Sequence, residues 1–221
     1  MKGIVFQFKR GIRLPAIRKP EVSLKEFLSK KGLYIFFFAV FFIGLVLGAA
    51  YSKSSDSTFF ERLDFLFATN LAARTQMSSF EVFASCFGSD FLLILIVFLM
   101  GISVWGSAAL PFVTAFKGFS VGLSSAFIFS LYRASGIGFY ILVILPGTVM
   151  FLLALIYYSK ESFSLSLRFV RLCVFGSGRE PYLTHHIKSF FLRSVFSLLF
   201  CAASALLDMV LWILFAGMFD F

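Results

Sequence analysis

The stretch MGISVWGSAALPFVTAFKGFSVGLSS, residues 100–125, decides the architecture of this chain. It joins two apolar segments and carries four glycines, a tryptophan, a proline and one isolated lysine. Lipid offers no water to an open backbone, so glycine and proline at membrane depth need neighbouring helices to cover them. Small residues at such places let two helix backbones approach closely. Gly118 and Gly122 form a small-xxx-small face with Ser125 nearby, and Gly101 and Gly106 extend the run of small residues towards the preceding segment. The stretch reads as the packing centre of a membrane bundle, and it holds no catalytic constellation.

Composition gives the same class. The hydrophobic fraction is 60% and the mean hydropathy +0.95, well above the roughly 45–50% apolar content of soluble domains. A soluble protein of 221 residues could not hide that much apolar surface. The 34 phenylalanines point the same way, since Phe suits lipid-facing and helix-packing positions equally. A net charge of +9 would suggest nucleic acid in a soluble protein. Here it reads as Lys and Arg gathered in loops on the cytoplasmic side of a membrane, with no nucleic-acid partner. Cys86, Cys173 and Cys201 are scattered without metal-type spacing, so neither a disulfide framework nor a zinc site is indicated.

Taken in order, residues 1–31 hold nine basic residues against Glu21 and Glu26. The first apolar run begins too late for a signal peptide and lacks a small-residue cleavage site. This basic cytoplasmic arm either lies against anionic headgroups or acts as a topology signal alone. The remainder, 32–221, reads as one membrane domain. Residues 32–51, GLYIFFFAVFFIGLVLGAAY, give a first span with Gly44 and Gly48 four apart. Residues 52–90 form an outer polar segment whose Phe60, Leu63, Phe67 and Leu71, then Phe80, Phe83 and Phe87, recur at helical spacing. That pattern predicts amphipathic helices on the outer interface, or a face that docks an extracytoplasmic partner.

Residues 91–116 are uncharged, and Pro111 is expected to end or kink the run. This gives spans over 91–111 and 112–132, with Lys117 near the cytoplasmic face, or snorkelling towards it, and Arg133 closing the third span outside. The fourth span, 137–158, contains a kink at Pro146-Gly147. Residues 160–194 are basic again, and SFSLSLRFVRLCVFG within them reads as a cytoplasmic interfacial helix followed by a GSGREP loop. The fifth span, 195–219, has Asp208 near its middle. Inner segments hold sixteen basic residues and outer ones four, which predicts an N-in, C-out topology. The fold class is therefore all-α, a polytopic helix bundle of about five transmembrane helices.

Asp208 is the ionisable residue of most interest. A carboxylate at membrane depth usually faces a bundle interior or a wet cavity. Protonation, or pairing with Lys117 or Arg133, would lower its cost. A proton relay needs a chain of such groups, and one acid does not make a chain. His185-His186 reads as a loop pair, because adjacent helical histidines point about 100° apart and cannot chelate one metal unaided. No Walker motif, GxGxxG unit, HExxH or G-x-S-x-G elbow is present. No cofactor is expected, and the chain reads as a non-enzyme.

The segment MGISVWGSAALPFVTAFKGFSVGLSSAFI, the basic arm and the first span ending GLVLGAAY resemble stage II sporulation protein M. ILPGTVMFLLAL in the fourth span and CAASALLDMVLW in the fifth, ending on an acid that is Asp208 here, are similar to the same family. The broader family often carries Pro-His-Gly followed by a glutamate in the fourth span. Here Pro146 runs straight into Gly147, as in the sporulation-type members. The resemblance implies a membrane scaffold of endospore formers that assembles with an amidase/endopeptidase and a lytic transglycosylase for septal wall remodelling and engulfment. It implies no wall-cutting chemistry in this chain, a septal or engulfing membrane location, and binding surface on segment 52–90 and on lipid-embedded helix faces. Self-association into a homo-oligomer is compatible with it. The rival reading is a transport component, a small permease or the membrane subunit of an exporter, because discontinuous helices often build midplane substrate sites.

Overall fold

The computed structural model describes residues 24–52, 78–175 and 183–215, all helical apart from the Ser78 cap and one short turn. The helices are α1 (Leu24–Ser52), α2 (Ser79–Ile102), α3 (Gly106–Phe139), α4 (Leu145–Phe175) and α5 (Leu183–Phe215), with a π-helical turn Tyr140–Ile144 between α3 and α4. The chain divides into two units, Met1–Gly32 and Leu33–Phe221; only the first turns of α1 are described of the former. Five stretches are long and apolar enough to cross a membrane: Lys31–Ser52, Ser79–Ile102, Gly106–Ser130, Ser135–Cys173 and Ile187–Phe215.

Each stop and start has a local cause. A capping box opens α2: the Ser78 N–H donates to Glu81 Oε2 at 2.7 Å, and the Glu81 N–H donates to Ser78 Oγ at 3.4 Å. The second span therefore begins at Ser79, not at Phe91, and its 24 residues reach about 36 Å at 1.5 Å per residue. The α2–α3 break lies at Ser103–Trp105 rather than at Pro111. Pro111 sits inside α3, and the one non-helical backbone position of that helix is Arg133. As the sixth residue of α3, Pro111 forgoes the bond to the Ser107 carbonyl, yet the backbone stays helical through it. At Arg133 (φ 49°, ψ −123°) the chain turns back, and Phe129 meets Tyr140 edge to face at 5.4 Å. A side chain in that left-handed region is strained. Only residues 131–134 separate the two spans, which forces the sharp corner.

Charge does not end a helix here. The fourth membrane stretch, with the tail of α3, the π-helical turn and α4, covers 39 residues. That is about 58 Å, nearly twice a hydrocarbon layer of about 30 Å. The SFSLSLRFVRLCVFG segment accordingly continues the spanning helix to Phe175 and is not a separate interfacial helix. Likewise α5 starts at Leu183 and not at 195, which places His185 and His186 in its first turn and not in a loop. The expected helix at Phe60–Leu71 and the GSGREP loop lie outside the described residues.

The fourth span and α5 run antiparallel: Phe139 meets Trp212, Gly147 meets Ser204, Tyr158 meets Phe190, and Glu161 meets Arg193. α2 completes the core, with Leu93, Ile94 and Val97 buried beside Phe151, Leu155, Tyr158 and Phe190. α1 runs parallel to α3 through reciprocal glycines. A methyl on Gly44 would collide with the Ala115 carbonyl oxygen, and one on Gly48 with that of Phe119. From the other side, Gly118 abuts the Phe41 carbonyl and Gly122 that of Leu45. The outward faces stay apolar, as in Leu192, Val195, Phe196, Leu199 and Phe200 of α5, which suits lipid contact.

Gly122→Ala is expected to destabilise the detergent-solubilised protein by about 1–3 kcal/mol through overpacking. Gly88→Ala, where nothing lies within 4 Å of the added methyl, should be neutral or stabilising, since Ala is the better helix former. Thermal unfolding of both variants checks the contrast.

Candidate functional site

The interior of the bundle holds a charged contact that the sequence did not announce. Lys117 Nζ donates to Asp90 Oδ1 at 2.7 Å, with the two side chains only 15% and 10% exposed. Asp90 lies mid-way along α2, and Lys117 mid-way along the third span. Neither is where the charge pattern put it, at an outer segment and a cytoplasmic boundary. The ammonium also stands 4.6 Å from the centroid of the Phe151 ring, so α2, α3 and the fourth span converge on one cation. Leu93, Ile94, Val97 and Cys201 belong to the surrounding core. In such a setting either charge alone is expensive, and mutual neutralisation offsets much of that cost. Among the described residues, the pair makes no further hydrogen bond to a titratable group.

The second polar site lies where the fourth span meets α5. Pro146 has no N–H to give, and its ring pushes away the preceding carbonyls. The backbone answers with the π-helical turn, whose end is marked by the Leu145 N–H donating to the Tyr140 carbonyl. Thr148 Oγ1 donates back to the Ile144 carbonyl at 2.8 Å, and Ser204 Oγ donates to the Gly147 carbonyl at 2.7 Å. Gly147 is needed for a close approach, because a methyl there would run into the Asp208 carboxylate. Asp208 thus packs against the Pro146-Gly147 bend, while Lys117 is engaged by Asp90 and Arg133 is exposed at the corner.

A third set fixes the end of the bundle that carries the α2–α3 turn. Ser166 Oγ donates to the Ser103 carbonyl at 2.8 Å and accepts from the Ser107 N–H at 2.7 Å, tying α4 to that turn. Gly106 lies against the Met100 carbonyl, and Gly101 against Phe190 and Ser162. Glu161 accepts from Lys160 Nζ at 2.6 Å and from Arg193, which joins α4 to α5. No group of three or more His, Cys, Asp or Glu residues able to hold a metal occurs among the described residues.

The four glycines 44, 48, 118 and 122 come together across one interface, and Gly147 and Asp208 across another. Asp90, Glu161, Ser166 and Ser204 escaped the sequence reading. Asp90 had a visible signal, the S-x-x-E capping box twelve residues before it, which starts a helix early enough to carry it into the membrane.

The family model described as stage II sporulation protein M matches residues 36–217, from the first span to just past the last described turn. The chain belongs to that family. Curated proteins and solved structures give no match. Every contact described above falls within the matched range, so the mid-span ion pair and the Gly147–Asp208 packing are part of a sporulation-protein-M domain in this chain. It is a multi-pass, sporulation-related membrane protein of a family not known for catalysis.

Removing one charge should cost more than removing both. Asp90→Asn or Lys117→Met is expected to destabilise by about 3–5 kcal/mol, the usual effect of stranding one member of a buried pair, and the double variant should recover much of the loss. A double-mutant cycle on unfolding in detergent measures the coupling.

Proposed function

We propose that the protein is a non-catalytic membrane scaffold that localises peptidoglycan-degrading enzymes, an amidase/endopeptidase and a lytic transglycosylase, during septal wall remodelling and engulfment. The observation that carries this reading is where the buried polarity goes. Asp90 and Lys117 neutralise each other, Ser204 is spent on a backbone carbonyl, and four glycines lock α1 to α3. These groups hold helices in place, which is what a rigid platform requires. Family membership supplies the sporulation context.

In this reading the basic residues of the arm and of the α4–α5 end face the cytoplasm, following the charge rule. The Arg133 corner, the connection 53–77 and the start of α2 then face the wall. Phe80, in the first turn of α2, is 75% exposed and would lie beside that connection as part of the docking surface. Partner enzymes should be recovered when the tagged protein is pulled from mild-detergent membranes. Replacing 53–77 by a neutral linker of equal length should abolish recovery of the wall enzymes while leaving the protein's own level unchanged. Recovery of a cytoplasmic ATPase with no wall enzyme would overturn the scaffold in favour of an exporter subunit.

The transport reading draws on one specific feature, the π-helical turn and Pro146-Gly147 bend beside Asp208 at mid-membrane. The two readings separate at Asp208. The near-isosteric Asp208→Asn should leave a scaffold working, scored by completion of engulfment in a sporulating host, whereas a proton-coupled carrier would lose function.

A further inference from the structure

At the end of the bundle that carries the α2–α3 turn, a cavity of about 350 Å³ opens between α4 and α5. One wall is a single face of α4, with Lys160, Glu161, Ser164, Leu165 and Arg168 at helical spacing; the other is Ser189, Phe190 and Arg193 of α5. Among the described residues of the lining, three cations stand with one carboxylate. Glu161, at 13% side-chain exposure, is more enclosed than the Lys160 and Arg193 that it binds. It thereby holds two cations side by side at the rim, and the Ser164 and Ser189 side chains line the same space.

Depth is fixed by independent contacts. Ser166, on the next turn of α4, bonds to both sides of the α2–α3 turn, so the cavity lies level with the place where two spans end. Trp105 in that turn is 80% exposed, and Lys160 stands 5.4 Å from the Tyr34 ring of α1. Trp and Tyr at one level mark the headgroup region of a bilayer. A basic, hydroxyl-lined cavity between two spanning helices at that level matches the phosphodiester of an anionic lipid.

We propose that the cavity lined by Lys160, Arg168 and Arg193 is a binding site for the phosphate of an anionic phospholipid headgroup, with Glu161 as the residue that positions two of its cations and limits its affinity. This site is independent of the scaffold reading. It fastens the long α4–α5 end to the membrane surface whatever the protein holds on the other side. The occupant's phosphate is the shared chemistry of a lipid headgroup and of a soluble phosphate ester, and the cavity's level at the headgroup region favours the lipid.

The test is native mass spectrometry of the detergent-purified full chain titrated with phosphatidylglycerol, cardiolipin or phosphatidylethanolamine. Both anionic lipids should be retained over phosphatidylethanolamine. Arg168→Gln and Arg193→Gln should each weaken retention about fivefold, the effect of one surface charge. Glu161→Gln should strengthen it, a gain that misfolding cannot mimic. Lys188→Gln, an exposed lysine of α5 outside the cavity, should leave it unchanged. The proposal is overturned by equal retention of phosphatidylethanolamine, by weakened binding in Glu161→Gln, or by an effect of Lys188→Gln as large as that of Arg168→Gln. Displacement of bound lipid by equimolar glycerol phosphate would assign the cavity to a soluble ligand and likewise overturn it.

Discussion

The contact between Lys117 and Asp90 constrains the rest of the bundle. In lipid neither side chain has water to fall back on, so each must find the other wherever the helices place them. That requirement sets α2 and the third span side by side at one height, with the turn at Ser103–Trp105 as its geometric consequence. Phe151 under the ammonium adds the fourth span to the same point. Once three helices are registered there, the antiparallel seam of the fourth span with α5 follows, and the Gly147–Asp208 approach falls into place as part of it.

Two kinds of packing then divide the work. Between α1 and α3 the glycines remove side chains altogether, and backbones meet with carbonyls lodged against Cα atoms. Dispersion and close fit hold such an interface, because lipid provides no hydrophobic drive between helices. Among α2, the fourth span and α5 the surfaces are large and aromatic: Phe98 and Tyr158 both stack on Phe190, at 5.6 and 5.3 Å. Serines are buried there in number, Ser159, Ser162 and Ser166 on α4 and Ser194, Ser197 and Ser204 on α5, and the ones that tie helices together, Ser166 and Ser204, do so by bonding to the backbone of a neighbour.

The helical class, the number of spans and the family were legible in composition, in apolar runs and in the order of glycine-containing motifs. Gly44, Gly48, Gly118 and Gly122 stood out by their spacing, although spacing alone could not say which face met which. Charge is a poor mark of a span end in this chain. Asp90 and Lys117 each looked like the edge of an apolar run, whereas together they are neutral enough to sit inside one. Likewise α4 runs on past Lys160 and α5 begins well before Val195, since nothing in 160–175 breaks a helix. Pro111 removes the bond to the Ser107 carbonyl, and the helix absorbs that loss without leaving helical φ/ψ. Arg133 does mark a boundary, and its positive φ shows how tight that boundary is.

A bundle registered on a central ion pair puts Phe116, the lipid-facing neighbour of Lys117, deep in hydrocarbon. Substituted-cysteine accessibility in intact membranes, with the three native cysteines replaced, tests this most directly. Phe116→Cys should resist a water-soluble maleimide applied from either side, while Trp105→Cys and Arg133→Cys should react from opposite sides. Ready labelling of Phe116→Cys from the side that labels Trp105→Cys would return Lys117 to the membrane surface and contradict the central ion pair.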